Sequence, residues 1–91
     1  MQYLEGENRF YVPAADGGED IAEMTFNRIG DDCASIDHTY VNVNYRGQGI
    51  ADRLFDLVVT KLKQEGRKII PSCSYVQRKF EQNPDLHSLL K

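Results

Sequence analysis

Arg46, Gly47 and Gly49 stand close together in Val41-Asn42-Val43-Asn44-Tyr45-Arg46-Gly47-Gln48-Gly49-Ile50-Ala51, where a β-branched run meets a glycine-rich turn and a helical pattern begins. The start of a helix leaves its first N–H groups without internal partners and carries partial positive charge, so it attracts the oxygens of phosphate-like anions. Glycine lets the backbone approach a ligand closely, and the Arg46 guanidinium adds a planar donor fork suited to phosphate. The stretch reads as an anion cradle. Its spacing excludes two common versions of such a turn. A dinucleotide-binding G-x-G-x-x-G needs a third glycine where Asp52 stands, and a P-loop needs a lysine and a hydroxyl residue where Ile50 and Ala51 stand.

Three further side chains are able to do acid–base or nucleophilic chemistry. Cys73 follows a short apolar run and precedes a helical pattern, a place where the helix dipole favours thiolate; it reads equally as a buried, inert thiol. His38 alternates with Ile36 and Tyr40 and reads as a satisfied core histidine or as a proton acceptor. Tyr75 reads as a proton donor or as an aromatic packing the last helix. Arg78 and Lys79 reach phosphates if their helix borders the cradle, and otherwise form a solvated face.

The elements that position these groups follow from periodicity. Gln2–Leu4 and Arg9–Val12 alternate around Gly6-Glu7-Asn8, an opening hairpin. Pro13–Gly18 is a loop. From Glu19 to Ile29 a strand carries Ala22, Met24 and Phe26 inward, and Gly30-Asp31-Asp32 turns into a second long strand, Cys33–Val43. On it the alternation places Ile36, His38 and Tyr40 on one side and Asp37, Thr39 and Val41 on the other. Ile50, Leu54, Leu57, Val58 and Leu62 fall at helical spacing after the cradle, and Gly66 ends that helix. Lys68-Ile69-Ile70 is a buried strand parallel to the one before the helix, a β-α-β crossover. Ser74–Gln82 is a second helix capped by Ser72 or Ser74, and Asp85–Leu90 a short last one. The class is α+β: a mostly antiparallel sheet with one parallel crossover and closing helices.

With 91 residues and 41% hydrophobic content, a single small domain spanning 1–91 is expected. A formal net charge of -3 argues against nucleic acid or an anionic membrane as the main partner, since both reward a basic face. No apolar run approaches the roughly 20 residues that span a bilayer, and Met1-Gln2-Tyr3 does not begin a signal peptide, so a cytoplasmic location is expected. Cys33 and Cys73 are read as free thiols. With His38 and His87 they lack the paired spacing of a zinc set, and no metal is expected.

Arg46-Gly47-Gln48-Gly49-Ile50-Ala51 resembles the R/Q-x-x-G-x-G/A pyrophosphate-binding signature of the GCN5-related N-acetyltransferase (GNAT) superfamily. Over most of its length the chain is similar to the small, stand-alone YjdJ-type GNAT-like group. That resemblance is carried by His38-Thr39, by Tyr45 to Leu54, and by Pro71-Ser72-Cys73-Ser74-Tyr75-Val76 followed by Asn83-Pro84-Asp85. Asn44 departs from the usual proline or carboxylate there, and Asn83 from a common histidine. The resemblance implies a minimal GNAT fold without the usual N-terminal helices or the last hairpin of the sheet. It also implies acetyl-coenzyme A in the gap where the Cys33–Val43 strand splays from the Lys68–Ile70 strand. The pantetheine arm would pair with Val41 and Val43, and the pyrophosphate would rest on the N–H groups of Gln48, Gly49, Ala51 and Asp52 beside Arg46 and Gly47. An amine, small-molecule or protein, would accept the acetyl group, with His38, Cys73 and Tyr75 as catalytic candidates. The alternative is a coenzyme A-binding module that senses or scaffolds without turnover.

Overall fold

In a computed structural model describing residues 1–91, five strands form one sheet in the order of the chain. They are β1 (Leu4–Gly6), β2 (Arg9–Val12), β3 (Ala22–Ile29), β4 (Cys33–Val41) and β5 (Lys68–Pro71). Neighbours are antiparallel up to β4, and β5 returns parallel to β4 after a crossover through helix α1 (Ile50–Gln64). Helix α2 (Ser74–Gln82) and a 3-10 turn (Pro84–Leu89) close the chain. Leu90 then bridges Ile69 in parallel, and the Lys91 N–H donates to the Ile69 carbonyl at 3.0 Å, so the chain end lies along the outer edge of β5.

The core forms where sheet alternation meets helical spacing. Ala22, Met24 and Phe26 of β3 are buried, as their alternation predicts, and α1 covers them with Ile50, Leu54, Phe55, Val58, Val59 and Leu62. Leu57, expected inward, is only half-buried; Phe55 and Val59 take the inward places beside Leu54 and Val58. Burying side chains of this size stabilises by about 1.5–3 kcal/mol each. Phe55 also meets Phe80 of α2 edge to face, with ring centroids 5.5 Å apart, which fixes α2 against α1. Gly66, at φ 73, supplies the left-handed residue just past the end of α1.

Three local expectations are corrected. The first hairpin turns at Glu7-Asn8, with Asn8 at φ 60, a conformation asparagine tolerates; β1 therefore starts at Leu4 and not at Gln2. The last helix is 3-10 and starts at Pro84, whose fixed φ suits the first position. The third correction decides the site. Thr25 faces His38 while Phe26 faces Ile36, so Asp37 is an extra residue, a β-bulge in β4. Before the bulge Ala34 and Ile36 point into the core; after it, Thr39 and Val41 pair with Met24 and Ala22 and take that same face. His38 and Tyr40 are thereby turned to the opposite, helix-free face, so Ile36 does not share a side with them.

Candidate functional site

β4 and β5 are in register from Cys33↔Lys68 to Ile36↔Pro71, and the Ser72 N–H to Ile36 carbonyl bond at 3.1 Å is their last link. Past it β4 runs on through Thr39 and Val41 while the other chain turns into α2. The expected splay is therefore present. A cleft of about 490 Å³ opens there, bounded by the end of β4, the glycine turn, the first turn of α1 and the start of α2.

The glycine turn is built from Asn42 onward. The Asn42 side chain accepts from the Asn44 N–H at 2.9 Å, which starts a 3-10 turn (Val43–Tyr45) and ends the strand at Val41. Val43 is thus outside β4, 69% exposed and away from the cleft; its expected pairing with a bound arm is corrected by the side-chain cap two residues earlier. Gly47 and Gly49 both stand at φ 79. An added Cβ at either meets nothing within 4 Å, so backbone conformation, and not space inside the protein, requires glycine. Gly49 caps α1 with no side chain, and its carbonyl takes the Arg53 N–H, leaving the first-turn N–H groups without an intrahelical partner. Gly47, Gly49, Ala51 and Asp52 all line the cleft, and Gln48 lies exposed between the glycines, outside the lining.

Charge is distributed unevenly here. The Arg46 Nε donates to the Val41 carbonyl at 3.1 Å, so this strand-edge carbonyl, expected to be unpaired, has a partner. Asp52 accepts from the Tyr75 hydroxyl and pairs with Lys79 Nζ at 3.2 Å. The Tyr75 bond first, then Lys79, holds the Asp52 carboxyl below its ordinary range. Burial first, and then the bond to Asp52, pushes the Tyr75 phenol above its ordinary value. Tyr75 and Arg78 line the cleft from α2, while Lys79 points to Asp52 and the Phe55 ring.

Cys73 is the residue that caps α2, in place of the expected Ser72 or Ser74. Its Sγ lies 3.5 Å from the Thr39 hydroxyl. Burial acts to raise the thiol, but the Thr39 hydroxyl and the N–H groups of Val76, Tyr75 and Thr39 outweigh it, and the thiol falls below its ordinary value. Cys73 therefore joins the cleft through Thr39. His38 does not join it: the residue is exposed on the other face of β4. Thr39 and Tyr45, which line the cleft, were not among the sequence candidates. The signal that could have found them was their place in the stretches that carry the resemblance, His38-Thr39 and Tyr45 to Leu54.

A model of the family described as GCN5-related N-acetyl-transferase matches residues 9–89. Protein NATD1 of Gallus gallus is 28% identical over 78 residues, covering 86% of this chain and 71% of that protein. NATD1 of Homo sapiens is 29% identical over 76 residues, covering 84% and 67%. The NMR structure of a GCN5-like protein from Staphylococcus aureus superposes with a TM-score of 0.78 at 28% identity, over 99% of this chain and 87% of that one. A ribosomal-protein-alanine N-acetyltransferase from Brucella melitensis biovar Abortus 2308 shares the fold, with a TM-score of 0.61 at 23% identity over 81% and 59% of the two chains. The matched span begins at β2 and runs through the split strands, the glycine turn and the helix that follows Cys73, and by it this chain belongs to the GCN5-related N-acetyltransferase family.

Proposed function

We propose that the protein binds acetyl-coenzyme A in the cleft between β4 and α2 and transfers its acetyl group to an amine. The cleft itself carries this reading. It joins a left-handed glycine cap and an arginine, suited to a pyrophosphate, to a strand edge suited to an amide-bearing arm, and it ends at a thiol 3.5 Å from Thr39. The bound thioester would supply an activated acyl carbon. The residues present fit that donor: the first-turn N–H groups of α1 and Arg46 for the phosphates, and the edge of Val41 and Thr39 for the arm.

Each requirement of the transfer has a candidate. An edge N–H of β4 stabilises developing charge on the acyl oxygen. The raised phenol of Tyr75 is a reluctant proton donor, so Cys73, with its lowered thiol, is the better placed acid–base group on the leaving sulfur. His38, exposed on the other face of β4 and outside the cleft, is not placed to take the proton of the ammonium, which passes to solvent at the open mouth of the cleft instead. Direct transfer is favoured over an acetyl adduct on Cys73, because holding amine and thioester together already lowers the barrier substantially.

Mass spectrometry of the purified protein with acetyl-coenzyme A and a panel of amines tests this reading. The expected result is an acetylated amine, with no acetylated protein formed before amine is added. A kinetically competent adduct on Cys73 would replace direct transfer by a covalent route, and binding without turnover on any amine would favour the sensing module.

A further inference from the structure

We infer that Arg46 is a specificity filter: it caps the Val41 carbonyl until a pyrophosphate draws it away, so that a thioester donor lacking a pyrophosphate finds the strand edge closed. The inference rests on the donor site proposed above. The Asn42 N–H bonds the Ile21 carbonyl at 2.7 Å, and Ala22 is opposite Val41. In an antiparallel ladder this marks Ala22 and Val41 as a non-hydrogen-bonded pair, so the N–H and C=O of Val41 point away from β3. On that side β5 has already ended at Pro71, paired with Ile36. The sheet therefore offers the Val41 carbonyl no partner, and the Arg46 Nε supplies one at 3.1 Å.

This is the carbonyl that an amide-bearing arm needs. A charged donor outcompetes a neutral amide for a carbonyl, and a neutral arm offers Arg46 nothing in exchange. A pyrophosphate does: it presents anionic oxygens matched to the guanidinium fork, on the same cleft wall as Gly49 and Ala51. Asp52, the carboxylate of that wall, is already engaged by Tyr75 and Lys79. Arg46 therefore has two competing partners, one at the strand and one brought by the ligand. Moving it couples phosphate recognition to docking of the arm, and it selects coenzyme A thioesters over acyl groups on a bare pantetheine arm.

Calorimetry with two probes, coenzyme A and pantetheine, on wild type and Arg46→Ala tests the filter. Arg46→Ala should weaken coenzyme A on the order of tenfold at low salt, and less at high salt. The same substitution should tighten pantetheine on the order of threefold to tenfold, at any salt, because the competing hydrogen bond is gone. In wild type, the NMR signal of the Arg46 Nε–H should move at low concentrations of coenzyme A, and only at the higher concentrations of pantetheine needed to displace it from the Val41 carbonyl. If wild type binds coenzyme A but pantetheine binds Arg46→Ala no more tightly than wild type, the filter is overturned and the donor site stands. If wild type binds neither probe, the donor site falls and the filter with it.

Discussion

Gly49 and Cys73 each make a prediction about the cleft at the scale of one residue. Gly49 is at φ 79, where an L residue costs about 1–2 kcal/mol, yet an added Cβ meets no protein atom within 4 Å. Gly49→Val should therefore fold with a modest loss of melting temperature. Acetyl-coenzyme A at about 100 times its Kd should raise the wild-type melting temperature on the order of 10 °C, and Gly49→Val should abolish that rise. Undiminished binding by the variant would detach the cradle from the ligand. Cys73 makes a separate prediction. Because its thiol is lowered by Thr39 and by N–H groups of α2, alkylation of Cys73 by iodoacetamide should have its midpoint below that of an ordinary free thiol, and Thr39→Val should move it upward. A midpoint at or above the free value would make Cys73 an ordinary packed thiol. The glycine turn was legible because Gly47 and Gly49 act through their own backbone conformation; the partner of Cys73 was not, because Thr39 lies 34 residues away across the crossover.

Between elements, α2 is held to the first two turns of α1 by Tyr75 and Lys79 on Asp52 and by Phe80 on Phe55. With its phenol raised and donated to Asp52, Tyr75 acts as a wall of the cleft. Tyr75→Phe should keep turnover within about tenfold while raising KM for the donor; a loss of 100-fold or more in kcat alone would restore it as the proton donor. The order of strands and both helices were legible from period and punctuation, since Ala22, Met24 and Phe26 alternate and α1 repeats its apolar face. The facing of the last third of β4 was not. A strand pattern is read by counting in twos, and Asp37 adds one residue that no local preference announces. Val43 was misplaced for a related reason, since a β-branched residue favours a strand until the Asn42 side chain ends it.

For the molecule as a whole, the sheet has α1 and the cleft on one face and an open face carrying His38 and Tyr40 on the other. No helix is long and apolar enough to cross a membrane. The end of the sheet away from the cleft is tied by Glu65, which takes Arg28 of β3 at 2.7 Å and Arg67, before β5, at 2.8 Å. These arginines hold the Glu65 carboxyl down at about 2 from an ordinary 4.5. A carboxylate lowered by folding adds stability above its unfolded pKa and loses it as pH falls through the folded one. Glu65→Gln should therefore lower the urea midpoint at pH 7 and flatten the acid limb of the stability profile between about pH 4.5 and 2. An unchanged profile would make the pair decorative. The two faces of the sheet also meet in one number, the count of residues between Ile36 and Thr39. Deleting Asp37 would leave every side chain of the cleft in the chain and restore simple alternation. It would then either send Thr39 and Val41 out to the open face and bring His38 beneath α1, or pull the end of β4 one step out of register with β3. Either way the domain should fold and fail to hold its donor. The inside and outside of this site are thus written in chain length, a kind of information that substitution cannot erase and a single-codon deletion can.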